Sequence, residues 1–365
     1  MKIKAAVLFE AHKPFEILDL DLQEPRRGEV LVRIAAAGVC HSDYHLVSGA
    51  TQHPMPVVAG HEGAGVVEAV GPGVDTIRPG DHVVLNWTPD CGHCFYCLRG
   101  KPNLCETWTE LIWAGTMLDG TTRLSLGGRP VYHYCGLASF ATHAVVPRQS
   151  CVVAPREVPL EVAALVGCAV ATGVGATIYT TSVRPGDSVA VFGCGGVGLS
   201  VLQGARLCGA QTLIAVDRNA GKMEVAKRFG ATHVLMSGPD VVQSIRNITG
   251  RGVDHAFEAV GLPALQELAL HAVRPGGTLV LAGLSPMDTA TNLPGAILTR
   301  QEKTVKGSYY GSVSPRRDFP MLLDLYRQGR LDLDSLISKR YPLSQINEAY
   351  ADMLAGSLAR GVIVF

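Results

Sequence analysis

Short apolar runs broken by turns open the chain, at residues 5–9, at 15–22, and at 29–37 after the turn Glu24-Pro25-Arg26-Arg27-Gly28. Such runs, bounded by Gly and Pro, have the grammar of strands. Two further β-rich runs, 63–70 and 81–85, flank Gly71-Pro72-Gly73 and Pro79-Gly80-Asp81. The first half therefore predicts a glycine-cornered antiparallel barrel. Residues 106–128 are polar and aromatic with little periodicity and are expected to form a long surface loop. From 159 to 178 the spacing turns helical. Beyond Pro185-Gly186-Asp187 strands and helices alternate: strands at 188–192, 213–217, 233–236, 253–258, 278–281 and 304–308, with helices at 199–208, 221–230, 241–248 and 264–273 between all but the last two. This alternation predicts a parallel sheet wound on both faces. Two helices, 316–328 and 345–354, and a closing strand at 362–365 are expected to return to the first domain, because the six-strand unit is already complete.

Composition narrows the class. A chain of 365 residues is comfortable for two domains. Its 32 basic and 32 acidic residues cancel, so there is no electrostatic footprint for nucleic acid or an anionic membrane. The N-terminal apolar run is too short for a signal sequence, and no uncharged apolar run is expected to reach the roughly 18–20 residues of a membrane span. Ten cysteines in such a chain argue for a reducing, cytoplasmic compartment and for metal binding over disulfides.

Three motifs carry chemistry. Cys91, Cys94, Cys97 and Cys105 give C-x₂-C-x₂-C-x₇-C, which matches a closed tetrahedral zinc site that folds its own lobe. An iron–sulfur cluster is the main rival, and redox cysteines come third. Gly193-Cys194-Gly195-Gly196-Val197-Gly198 follows a strand, opens a helix, and precedes a second strand ending in Asp217. That context makes it a dinucleotide fingerprint, with Asp217 placed to accept from the adenosine ribose hydroxyls. Finally, Cys40-His41-Ser42-Asp43-Tyr44-His45 gathers a thiol, two imidazoles, a hydroxyl and a carboxylate, and Gly60-His61-Glu62 and Cys168 follow downstream. Each residue alone reads as a buried thiol or a satisfied core histidine. Together, Cys40, His61 and Cys168 make a Cys₂His set with a fourth position open for water or substrate, the arrangement of a catalytic zinc.

Taken jointly and in order, these motifs resemble the zinc-dependent medium-chain alcohol dehydrogenases over essentially the whole chain. The resemblance implies an α/β protein in which a GroES-like β-rich catalytic domain (1–169, with the four-cysteine lobe at 91–105, and 310–365) is joined to a doubly wound Rossmann domain (170–309). It implies two zincs per chain, one structural and one catalytic in an interdomain cleft, the latter with Glu62 and Asp43 close by. It implies NAD, with Thr172, Arg218, Lys222 and Arg360 at cofactor positions. Ser42 would take the alcohol proton and pass it through the nicotinamide ribose to His45. Trp87, Tyr134 and Cys135 match the substrate-pocket wall. His41 stands where many members carry an arginine over the pyrophosphate. Thr109 stands where glutathione-dependent formaldehyde dehydrogenases carry an anion-binding arginine. The long segment between Cys105 and Gly136 is more like the dimeric members, which implies a homodimer, with a homotetramer as the alternative.

The expected reaction is reversible oxidation of a primary alcohol, allylic, benzylic or otherwise bulky and apolar, to the aldehyde. The alternatives are a polyol or amino-alcohol dehydrogenase of the same superfamily and a thiol-dependent formaldehyde dehydrogenase. A zinc-ribbon protein for nucleic acid would need a basic face beside the cysteine lobe, but Asp90, Glu106 and Glu110 there face only Arg99 and Lys101.

Overall fold

A computed structural model describes residues 1–356 and 358–365. The chain divides into two compact units, one made of Met1–Cys168 with Ser314–Phe365 and the other of Ala169–Val313.

The first unit opens with ten strands: β1 (Lys2–Leu8), β2 (Glu16–Leu22), β3 (Glu29–Gly38), β4 (Val57–Val58), β5 (Gly63–Val70), β6 (His82–Leu85), β7 (Leu124–Leu126), β8 (Arg129–His133), β9 (His143–Pro147) and β10 (Cys151–Val153). The order β1-β2-β7-β8-β4 closes into a barrel. One pair, β4 with β8, is parallel, so the barrel is not antiparallel throughout. β1 explains why its sequence reads as a continuous apolar run: Ile3, Ala5 and Val7 join one buried cluster, while Ala6 and Leu8 on the other face join a second. Helices α1 (His41–Val47), α2 (Glu106–Ala114) and α3 (Leu160–Leu165) complete this part of the unit.

Residues 106–128 are not the long surface loop that the sequence predicts. Residues 106–114 form α2, and 124–126 form β7, paired with β8. Trp108 and Ile112, one helical step apart, are both buried, so α2 lies on the core through one stripe. Gly115 at φ +69 ends the helix, its N–H bonding the Leu111 carbonyl at 3.1 Å, in the left-handed conformation typical after a helix. Thr107, Trp108, Thr109 and Ile112 have middling helix propensity, and this hid a stripe that the i, i+4 spacing carries.

In the second unit, α4 (Ala171–Gly175), α5 (Gly196–Leu207), α6 (Gly221–Arg228), α7 (Val241–Thr249), α8 (Pro263–Ala272) and α9 (Gly295–Arg300) accompany β11 (Ser188–Phe192), β12 (Thr212–Asp217), β13 (His233–Met236), β14 (Val253–Glu258), β15 (Val273–Leu281) and β16 (Thr304–Gly307). The sheet order is β13-β12-β11-β14-β15-β16, every neighbouring pair parallel. Strand order reverses between β11 and β14. Their carboxyl ends define the crevice where ligands bind in such sheets. The helical run Leu160–Thr180 is 21 residues long and, by length and composition alone, apolar enough to cross a membrane. It corrects the expectation that no apolar run reaches the length of a membrane span. Protein buries 89% of its most apolar window, so the run is explained as core.

After α10 (Pro315–Arg327), the chain adds β17 (Ile337–Pro342), α11 (Ile346–Leu354) and β18 (Arg360–Val364). β18 pairs antiparallel with β3 and parallel with β17, giving a sheet of order β10-β6-β5-β3-β18-β17, with β9 also on β3. β17 went unpredicted because only Ile337 and Tyr341 of it are buried, too sparse a signal for period-2 reading.

Candidate catalytic metal centre and dinucleotide site

β3 ends at Gly38 and delivers Cys40 to the start of α1. His61 arrives just before β5, and Cys168 closes the unit. The Sγ atoms of Cys40 and Cys168 and a ring nitrogen of His61 all lie within 4.8 Å of one another, and all three residues are buried. His61 Nε2 is 3.3 Å from Cys168 Sγ. Its other nitrogen, Nδ1, is 3.0 Å from the Asp43 carboxylate. Asp43 is fully buried, and its second oxygen accepts the Gly60 N–H at 2.8 Å. A carboxylate held on the far nitrogen of an imidazole fixes the ring with the near nitrogen free to ligate.

The electrostatics fit a cation. The Cys168 thiol and the positive charges of His61 and Arg360 hold the Cys40 thiol well below its usual range, against the effect of burial. Burial opposes a charged His61, but Asp43 and Cys40 outweigh it and raise the ring to about 10. Two thiols and an imidazole converging in a buried site are the donor set of an open tetrahedral zinc site. Glu62 lies outside this triad. Its carboxylate is ion-paired with the Arg360 guanidinium, and both side chains are buried.

The four-cysteine lobe is equally well formed. Cys91, Cys94, Cys97 and Cys105 bring their sulfurs within 4.8 Å of one another, and all are free thiols. Cys91 to Cys97 is 4.0 Å, and Cys94 to Cys105 is 3.9 Å. Those separations are far too long for disulfides. They are close to the ~3.8 Å edge of a tetrahedron with metal–sulfur bonds of 2.3 Å, so the lobe has room for one ion and not for a multi-iron cluster. Backbone N–H groups of Cys91 and Cys94 point at the sulfurs of Cys105 and Cys91, both at 3.3 Å.

Around the triad, Ser42 Oγ is 3.8 Å from Cys40 Sγ, and half-buried His45 stands one turn further along α1. Burial lowers the pKa of His45 below the ordinary histidine value, while Cys40 and Asp43 oppose that shift. Trp87 and Tyr134 each meet the His61 ring edge-on, at 6.1 and 5.7 Å between centroids. The Tyr134 hydroxyl donates to the Ser42 carbonyl at 3.1 Å, and Cys135 beside it is buried at φ +53. Two aromatics missed in the sequence extend this wall, His53 at 5.6 Å and Trp113 at 6.5 Å from Tyr134. Trp113 could have been found once 106–114 was read as a helix.

The second unit carries the fingerprint at the carboxyl end of β11. Gly193 adopts φ +101, a conformation only glycine takes readily, and a side chain at Gly198 would collide with the Gly193 carbonyl. The loop thus brings α5 tight against its strand, with Gly195, Gly196 and Val197 at the positive helix end. Asp217 ends β12. Its oxygens accept from the backbone N–H groups of Cys194, 2.7 Å, and Asn219, 2.9 Å, and Lys222 Nζ is 4.0 Å away. Arg218 is exposed and Thr172 buried within this unit, while His41 is exposed in the first.

A family model for the alcohol dehydrogenase GroES-like domain matches residues 26–156, and one for zinc-binding dehydrogenases matches residues 196–328. The chain is 44% identical over 368 residues to an NDMA-dependent alcohol dehydrogenase of Amycolatopsis methanolica, covering 100% of this chain and 99% of that protein. Among solved structures, an alcohol dehydrogenase zinc-binding domain protein from Burkholderia ambifaria matches at 39% identity and a benzyl alcohol dehydrogenase from Acinetobacter calcoaceticus at 35%. Each superposes with a TM-score of 0.95 over 100% of this chain and 99% of its own. The chain belongs to the zinc-dependent medium-chain alcohol dehydrogenase family.

Proposed function

We propose that this protein oxidises primary alcohols with a flat, apolar substituent, benzylic or allylic, to their aldehydes, passing hydride to NAD. The observation that carries the reading is the buried Cys40–His61–Cys168 triad with Trp87 and Tyr134 edge-on to its histidine. Zinc held by that triad supplies Lewis acidity toward an alcohol oxygen. NAD supplies the hydride acceptor.

The chain's own residues do the rest. Asp43 keeps His61 in one tautomer, and the Tyr134 hydroxyl fixes the backbone at Ser42. Ser42 takes the alcohol proton. His45, three residues on and so on the same helical face, relays it outward. Because burial lowers its pKa, His45 remains an unprotonated acceptor into mildly acidic solution. His45→Gln should therefore lower turnover chiefly at mildly acidic pH, where added base restores it, and Ser42→Ala should lose ~10²–10⁴-fold while retaining metal. An unchanged pH–rate profile in the His45 variant would remove it from the relay.

Coenzyme choice rests on Asp217. Its carboxylate is fixed by two backbone N–H groups, so it cannot swing away from a 2′-phosphate. A like-charged unit pair at about 4 Å is worth on the order of 4 kcal/mol at an effective dielectric of 20, before screening. NAD should exceed NADP in kcat/KM by ~100-fold or more, and Asp217→Ala should narrow that gap. Equal efficiencies in the wild type would refute the role of Asp217.

Substrate preference is tested by a panel. Trp87 places a broad ring beside His61 and favours edge or stacking contacts with planar groups. Apolar walls discriminate by only ~1–3 kcal/mol per methylene, so benzyl and cinnamyl alcohols should lead ethanol by a graded margin. Trp87→Ala should shift the optimum to bulkier alcohols. Higher kcat/KM for a secondary alcohol or a polyol than for benzyl alcohol would overturn the reading.

A further inference from the structure

Helix α8 carries a buried amide, Gln266, only 4% exposed, that no step of the reaction uses. Its Nε2 donates to Ser285 Oγ at 2.9 Å, and its Oε1 accepts from Thr291 Oγ1. Both partners belong to residues 282–294, which connect β15 to α9 without regular structure. Connections in α/β units are usually two to six residues long, and longer ones within a compact domain tend to be functional. The adjacent Glu267 accepts the Asn292 N–H at 2.9 Å. Leu284, just before the first point tied to Gln266, and Met287, between the two, are 50% and 88% exposed, so apolar packing does little to hold residues 285–291.

The start of this segment is joined to the dinucleotide fingerprint through Glu258, the last residue of β14, which is fully buried. The Glu258 carbonyl accepts from the N–H groups of Ala282 and Gly283, both at 2.9 Å. Its carboxylate accepts from Val260 at 2.9 Å and Gly261 at 2.8 Å. Val260 in turn lies against Gly193, where a Cβ would strike its side chain, and Gly261 has the same relation to the Leu284 carbonyl. Three connections, after β11, β14 and β15, are therefore packed together at the carboxyl edge of the sheet, where strand order reverses and a dinucleotide binds.

We propose that Gln266 is a positioning residue for the dinucleotide. Through Ser285 and Thr291 it holds residues 285–291 in one conformation at that edge, and the ordered segment forms part of the dinucleotide's enclosure. The ordering is prepaid in the folded protein, which lowers the entropy cost of binding. This inference rests on the reading that the protein binds NAD.

The test is NADH affinity of the zinc-loaded enzyme, followed by fluorescence titration, in Gln266→Met, Thr291→Val and the double variant. Hydrogen exchange of residues 285–291 and the thermal midpoint are measured on the same samples. Gln266→Met loses two hydrogen bonds and should bind NADH about tenfold more weakly, Thr291→Val loses one and should fall between it and the wild type, and the double variant should be no worse than Gln266→Met because the pair acts through one contact. Exchange in 285–291 should rise in the free enzyme and be slowed by saturating NADH. Unchanged affinity beside faster exchange would overturn the proposal, because the segment would then be held by Gln266 without serving the dinucleotide. So would a lowered midpoint with unchanged affinity, the mark of a merely structural role. If the wild type binds no NADH at all, the functional reading itself falls and the inference with it.

Discussion

Cys168→Ser should lower kcat/KM for benzyl alcohol by ~10³-fold or more, while the protein stays folded and keeps one tightly held zinc. The thiol is one of three donors packed within 4.8 Å, and a serine hydroxyl is a poor substitute for a thiolate at a soft site. The Lewis acidity lost is worth several kcal/mol of transition-state stabilisation, and each 1.36 kcal/mol is a factor of ten in rate. Folding should be largely spared, because the surrounding helical run is buried among apolar neighbours. Elemental analysis that still found two zincs, with turnover near wild type, would remove Cys168 from the site.

The second large effect is the opposite in kind. Cys105→Ser should collapse the lobe, with a marked fall in thermal midpoint and soluble yield, because the segment from Cys91 to Cys105 contains only two three-residue helical turns and buries few apolar side chains. Metal binding is then most of its folding free energy, about 10–16 kcal/mol for comparable zinc peptides. Inductively coupled plasma analysis with a thermal melt separates the cases. A Cys105 variant with a wild-type midpoint would show that the lobe folds without its ion, and iron in fresh wild-type protein would identify a different metal.

The parallel sheet was legible almost strand for strand, since strands buried on both faces, such as Ser188–Phe192, read as apolar runs punctuated by glycines. The barrel half was harder. Its closure uses the two-residue β4 and the three-residue β7, too short to leave a pattern, and α2 was masked by threonine and tryptophan at helical positions. At the site, the spacing of the cysteines and His61 exposed the donors themselves. The ion pair of Arg360 with Glu62 joins residues nearly 300 positions apart, a contact that no local pattern reports. His53 and Gln266 leave no signal in the sequence for the same reason: their contacts come from tertiary neighbours.

The most direct test of the account is hydride tracing in a single turnover. Zinc-loaded enzyme is mixed with NAD and benzyl alcohol carrying two deuterons on its carbinol carbon, and the nicotinamide is examined by mass spectrometry and NMR. One deuteron should appear at C4 of the reduced nicotinamide for each benzaldehyde formed, with the transfer lost on chelating the labile zinc and restored by adding it back. Benzaldehyde formed without deuterium on the nicotinamide, or transfer that survives removal of the metal held by Cys40, His61 and Cys168, would contradict it.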